Sequence, residues 1–142
     1  MNKHLTILLL ILLLASCKQQ NDYQKIISFL DEKNIQITNY KQLVAINTLG
    51  DCLNCNNTFS LEMSAYLEQD STLFIVSTPG AKIDISPYLK KESSNIILDF
   101  RKEFNKLNII NHSSIFKLKE SAIDTIIEFD VKNIGSCTLE IK

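Results

Sequence analysis

Apolar residues in this chain fall into two kinds of run, and the two kinds alternate. Tyr23, Ile26, Ile27 and Leu30 recur at i, i+3, i+4 and i+7, the spacing of one helix face. They predict a helix over 23–33, with Asp22 ahead of it as N-cap. Leu43, Val44, Ala45 and Ile46 form an unbroken apolar run that leads into Asn47-Thr48-Leu49-Gly50, as a buried strand ending at a turn does. Over 56–69 the helical spacing returns in Phe59, Met63, Tyr66 and Leu67, which predicts a second helix beginning at or just beyond the pair Cys52 and Cys55. Leu73 to Val76 is a second buried strand, closed by Thr78-Pro79-Gly80.

The alternation continues with shorter pieces. Ser86 to Lys91 suits a short helix with Pro87 in its first turn. Ile96 to Leu98 reads as a third strand, followed by a helical turn over 101–107. Ser114 to Lys119 and Ile123 to Phe129 flank Glu120-Ser121-Ala122 and predict an antiparallel hairpin. Residues 135–142 are too few to assign. Strands separated by helices pair in parallel through crossovers, and a late hairpin adds an antiparallel edge. The expected fold class is therefore α/β, a central mixed sheet flanked by helices.

The start of the chain is patterned differently. Lys3 and His4 precede an apolar stretch from Leu5 to Leu14, and Ala15 and Ser16 then precede Cys17. This has the layout of an export leader, about half the roughly 20 residues a spanning helix needs. Leu14-Ala15-Ser16-Cys17 resembles the lipobox of bacterial lipoproteins. That resemblance implies cleavage before Cys17, a lipid on that cysteine and a place in the cell envelope, tethered to a membrane and facing outside the cytoplasm. Residues 1–16 are then the signal peptide, 17–22 the lipidated cysteine with a short tether, and 23–142 one domain. Residues 18–22 are polar and reach about 17 Å when extended, so the domain works close to the membrane.

Composition narrows the function classes. A formal net charge of −1, with Arg101 the only arginine, offers no basic stripe, so nucleic acid is not an expected partner. No phosphate-cradling glycine loop, Ser-His-Asp set or close carboxylate pair is visible, which leaves hydrolase and nucleotide chemistry without support.

The remaining chemistry lies in the cysteines. With Cys17 assigned to the lipid, Cys52, Cys55 and Cys137 are left. Outside the cytoplasm such a set is read as disulfide chemistry before metal chemistry. Cys52-Leu53-Asn54-Cys55 is a C-x-x-C between a predicted strand and a predicted helix. A cysteine there faces orphan N–H groups and the positive end of the helix dipole, which stabilise a thiolate. The pair can equally be a static disulfide closing a turn, and Cys137 can be a buried thiol or pair with another chain.

From about Leu43 to Phe129 the chain resembles the thioredoxin-like superfamily, in particular its membrane-anchored extracytoplasmic reductases. The resemblance runs through strand, C-x-x-C, helix, strand, Ile97-Leu98-Asp99 with Phe104, and a closing hairpin. It implies a thioredoxin-like fold, with Cys52 as attacking thiol and Cys55 as resolving thiol, exchanging disulfides with a redox partner protein and needing no cofactor. The chain departs from the family pattern in three places. Asp51 stands where the family usually has tryptophan, and a carboxylate there opposes thiolate formation. The family's cis-proline before the hairpin has no counterpart in Asn111-His112-Ser113-Ser114; aligning Phe116 puts Ser113 in that slot, with His112 as the one-residue alternative. A C-terminal helix is also missing from the pattern. Copper held by Cys52, Cys55 and His112, or zinc shared with Cys137, is the competing reading.

Overall fold

The computed structural model describes residues 21–47, 53–77, 84–90, 93–120 and 122–129, with the backbone alone for 53–55. Its frame is a five-stranded sheet in the order β3-β2-β1-β4-β5. These are β1 (Gln42–Asn47), β2 (Thr72–Ser77), β3 (Ile96–Asp99), β4 (Ser114–Lys119) and β5 (Ala122–Glu128). β1, β2 and β3 run parallel, and β4 and β5 are antiparallel to their neighbours. The mixed sheet expected from the chain's alternating pattern is the one observed.

Among the described residues, five helical or turn elements surround the sheet. α1 covers residues 21–31, and a 3-10 turn covers Ile37–Asn39. α2 (Leu53–Ser64) lies between β1 and β2, α3 (Ser86–Leu89) between β2 and β3, and α4 (Glu103–Lys106) between β3 and β4. The two parallel connections thus pass through helices, as parallel pairing requires.

Strand pleat sorts the core into two layers. Leu43, Ala45, Leu73 and Ile75 face α1 and α4, packing with Ile26, Leu30, Phe104 and Phe116. Val44, Ile46, Phe74 and Val76 face the other way, onto Phe59, Met63 and Tyr88 of α2 and α3. β1 and β2 are buried along their whole length, because a central parallel strand is covered on both faces. That is why each reads as an unbroken apolar run and not as an alternation.

Local details differ from the pattern in instructive ways. Residue 21 is already helical, so Asp22 is not the N-cap of α1. It lies inside the helix, where its carboxylate pairs with Lys25 one turn on at 3.1 Å. α1 closes at Asn34, whose φ of 57° is a left-handed value that asparagine tolerates. The Asn34 N–H donates to Asp31 O and the Ile35 N–H to Leu30 O, both at 3.0 Å, the double closure of a Schellman motif. α2 starts at Leu53, between the two cysteines and two residues before Cys55. No apolar spacing marks that start, because the first buried side chain described in α2 is Asn56 and the first buried apolar one is Phe59.

Candidate functional site

The parallel strands β1, β2 and β3 all end on one side of the sheet, and α2 begins there. This is the end at which an α/β sheet offers loops and helix N-termini to a ligand or partner. Cys52 directly precedes α2 in the sequence, and Cys55 is the third residue of the helix. The first turn of α2 holds no acidic residue, and its members are Leu53, Asn54, Cys55 and Asn56. Nothing charged in that turn competes with the helix dipole, worth about half a positive charge at this end. Cys52 itself, Asp51, Cys137, Cys17 and the Cys55 side chain lie outside the described residues.

Ser113 is fully buried at the same end, immediately before β4. Its hydroxyl accepts from the Asn47 N–H at 3.0 Å. The same oxygen lies 3.1 Å from Asn56 Oδ1 and 3.3 Å from Asn47 O, two acceptors for its one proton. Its carbonyl accepts from the Phe129 N–H at 2.7 Å. One residue therefore ties together the end of β1, the first turn of α2 and the chain leaving β5. The expected contact of Ser113 or His112 with the Cys52 and Cys55 sulfurs lies outside the described residues; what the structure shows is Ser113 bonded to Asn56 in the first turn of α2. His112, the alternative, has an exposed side chain and contributes its backbone carbonyl, which accepts from Ser114 Oγ at 2.9 Å.

Asparagines extend the clasp. Asn47, buried at the end of β1, donates through Nδ2 to Asn111 O at 3.3 Å and accepts at Oδ1 from Asn105 Nδ2 at 3.1 Å. The end of β1 is thus fastened to α4 on one side and to the turn before β4 on the other. Among the described residues, Asn57 Oδ1, Ser60 Oγ and Asn105 Oδ1 are buried without a hydrogen-bond partner, and two of these belong to the first two turns of α2. Sequence pattern alone did not single out Asn47, Asn56 or Asn105. An asparagine carries no periodic signal, and its partners here are up to 66 residues away.

No family model, curated protein or solved structure matches the chain. The functional reading therefore rests on the residues themselves.

Two further groups shape this end of the sheet. Asp99, buried at the end of β3, accepts from Ser77 Oγ at 2.6 Å and from the Glu103 and Phe104 N–H groups at 3.0 and 2.9 Å. It caps α4 and joins it to β2. Lys102, the residue before α4, has φ 57° and makes no side-chain cap of its own, so the capping falls to Asp99. Burial pushes the Tyr88 phenol well above its ordinary value; its hydroxyl donates to Ser60 O at 2.6 Å, holding α3 on α2. Among the described residues no group of three or more His, Cys, Asp or Glu side chains is placed to hold a metal ion, and no helix is long and apolar enough to cross a membrane.

Proposed function

We propose that the protein is a lipid-anchored thiol-disulfide oxidoreductase of thioredoxin-like type, working as a reductase in the cell envelope through Cys52 and Cys55. The observation that carries this reading is the coincidence of the C-x-x-C with the start of α2, at the sheet end where Ser113 is clasped to that helix's first turn. The β1-α2-β2 crossover followed by an antiparallel β4-β5 hairpin is compatible with a thioredoxin-like arrangement.

In the proposed chemistry, the Cys52 thiolate attacks one sulfur of a partner disulfide. A mixed disulfide forms, and the first partner sulfur leaves as thiolate. Cys55 then attacks the Cys52 sulfur, giving a Cys52–Cys55 disulfide and releasing the second partner thiolate. Two electrons pass to the partner, its two thiolates take up the protons the cysteines lose, and a dithiol donor protein restores the pair. With Asp51 adjacent and no cation in the first turn of α2, the thiolate is weakly stabilised. A less stabilised thiolate favours the disulfide product, as a reductase requires.

The test is titration of the mature domain in defined glutathione buffers, with alkylation rates against pH and Cys55→Ser and Cys52→Ser variants probed for trapped mixed disulfides. A reversible couple, with Cys52 the faster thiol and Cys55→Ser the variant that traps partners, is expected. A pair that never reduces while the domain stays folded makes it a static disulfide. Faster alkylation of Cys55 at every pH reverses the two roles.

A further inference from the structure

We propose that the cysteine end of the domain is held away from the membrane, and that its partners are protein disulfides presented in the aqueous phase and not disulfides at the bilayer surface. This rests on the lipid-anchor and thiol-exchange readings above.

The direction of α1 fixes the geometry. Tyr23, in its first described turn, shares the wall of a surface cleft with Tyr40, Leu118, Lys119 and Glu120. Tyr40 precedes the start of β1, while Lys119 and Glu120 end β4, so the cleft lies at the sheet end opposite α2's first turn. The Leu118 N–H bonds to Lys41 O at 2.9 Å, which closes that same end. From there α1 climbs along the sheet. Phe29 meets the ring of Phe104 at 5.3 Å between centroids, and Lys33, just past the helix, reaches Glu103 at 2.8 Å. Both partners follow Asp99, at the end where β3 stops. The described chain thus begins at one end of the sheet, and α2, with Cys55 in its first turn, begins at the other.

Lengths decide what this permits. From Lys41 to Asn47 the strand climbs about 20 Å, at roughly 3.3 Å per residue. Residue 21 is already helical, so Cys17 and the start of α1 are separated by about four residue steps, which span at most about 14 Å. To bring the start of α2 onto the bilayer the domain would have to invert, lifting its anchored end by more than the tether can span. Lying on its side, it still points that end along the membrane and not into it.

The test uses the mature lipidated protein on phospholipid vesicles. Cys52, Cys55 and Cys137 are replaced by Ser, and a single thiol is introduced by Lys41→Cys or by His112→Cys, two exposed positions at opposite sheet ends. Each variant is labelled with a soluble maleimide or with a maleimide carried on a lipid headgroup. Soluble reagent should label both alike. The headgroup reagent should label the Lys41→Cys variant at least about tenfold faster, because effective concentration collapses where a tether cannot span. Equal headgroup labelling of the two variants overturns the proposal. Failure of the protein to float with vesicles overturns the lipid anchor and this inference with it.

The unmodified reduced protein is then offered a disulfide-linked peptide, free or fixed directly to headgroups. Reduction of the free form alone is expected, and reduction of both at equal rates overturns the partner assignment. If neither is reduced while the labelling contrast holds, the thiol-exchange reading fails and the orientation stands.

Discussion

Ser113 Oγ lies 3.1 Å from Asn56 Oδ1, with the hydroxyl donating, and this links a turn before β4 to the residue that follows Cys55. The two are 57 positions apart, and both are buried. Replacing Ser113 with Ala removes this bond and the one its hydroxyl accepts from the Asn47 N–H. Two buried hydrogen bonds of this kind are worth about 1–3 kcal/mol together, and urea unfolding of Ser113→Ala should show a loss in that range. Unchanged stability would mean that the clasp contributes nothing.

Asp99→Ala should be more damaging. It strips the cap from the Glu103 and Phe104 N–H groups and the partner from Ser77 Oγ. Loss of a cap costs about 0.5–2 kcal/mol, and loss of the hydrogen bond from Ser77 Oγ adds about 0.5–1.5 kcal/mol. Asp99→Asn keeps one carbonyl acceptor and should fall between wild type and Asp99→Ala in denaturant midpoint.

A pH effect follows from Glu103. Its hydrogen bond and ion pair with Lys33 hold the carboxyl below its ordinary value. A depressed carboxylate contributes stability above its unfolded value, and that contribution is lost as pH falls through the folded value. Wild type should therefore exceed Glu103→Gln in midpoint at neutral pH, by a small margin for so exposed a pair. The margin should shrink below the ordinary carboxylate range, near pH 4, and a margin independent of pH would contradict the assignment.

Phe104→Ala should cost about 3–5 kcal/mol. The ring is almost fully buried and packs against both Phe29 and Phe116, so no single neighbour can collapse into the space. Tyr88→Phe, which keeps the ring and removes only the hydroxyl that bonds Ser60 O, should cost about 0.5–1.5 kcal/mol. Thermal or urea unfolding of the two variants distinguishes packing from hydrogen bonding in the two layers.

Apolar runs made β1 and β2 legible in the sequence, because central strands covered on both faces are apolar on both; the run of β3 also read as a strand, although this edge strand is buried only at alternate positions. β4 and β5 were legible from their spacing and the turn residues between them. The start of α2 was legible only from the cysteine pair it falls within, since Leu53 to Asn57 present no helical stripe; Asn56 is held there by Ser113, 57 residues away. Asp22 misled for a related reason: a side chain suited to capping serves equally well in an ion pair within the helix. At the candidate site, Ser113 was singled out through alignment of Phe116, and its expected contact with the cysteines lies outside the described residues, whereas Asn47, Asn56 and Asn105 depend on contacts between segments that no local window spans.

The sheet keeps its two packed layers apart. Leu43 and Ala45 belong wholly to the α1 side, Val44 and Ile46 wholly to the α2 side. Paired substitutions such as Leu30→Ala with Met63→Ala share no partner across that wall, so their costs should simply add. For a lineage of such proteins, the layer beside the cysteine helix can drift and be retuned while the layer that seats the entering chain stays as it is.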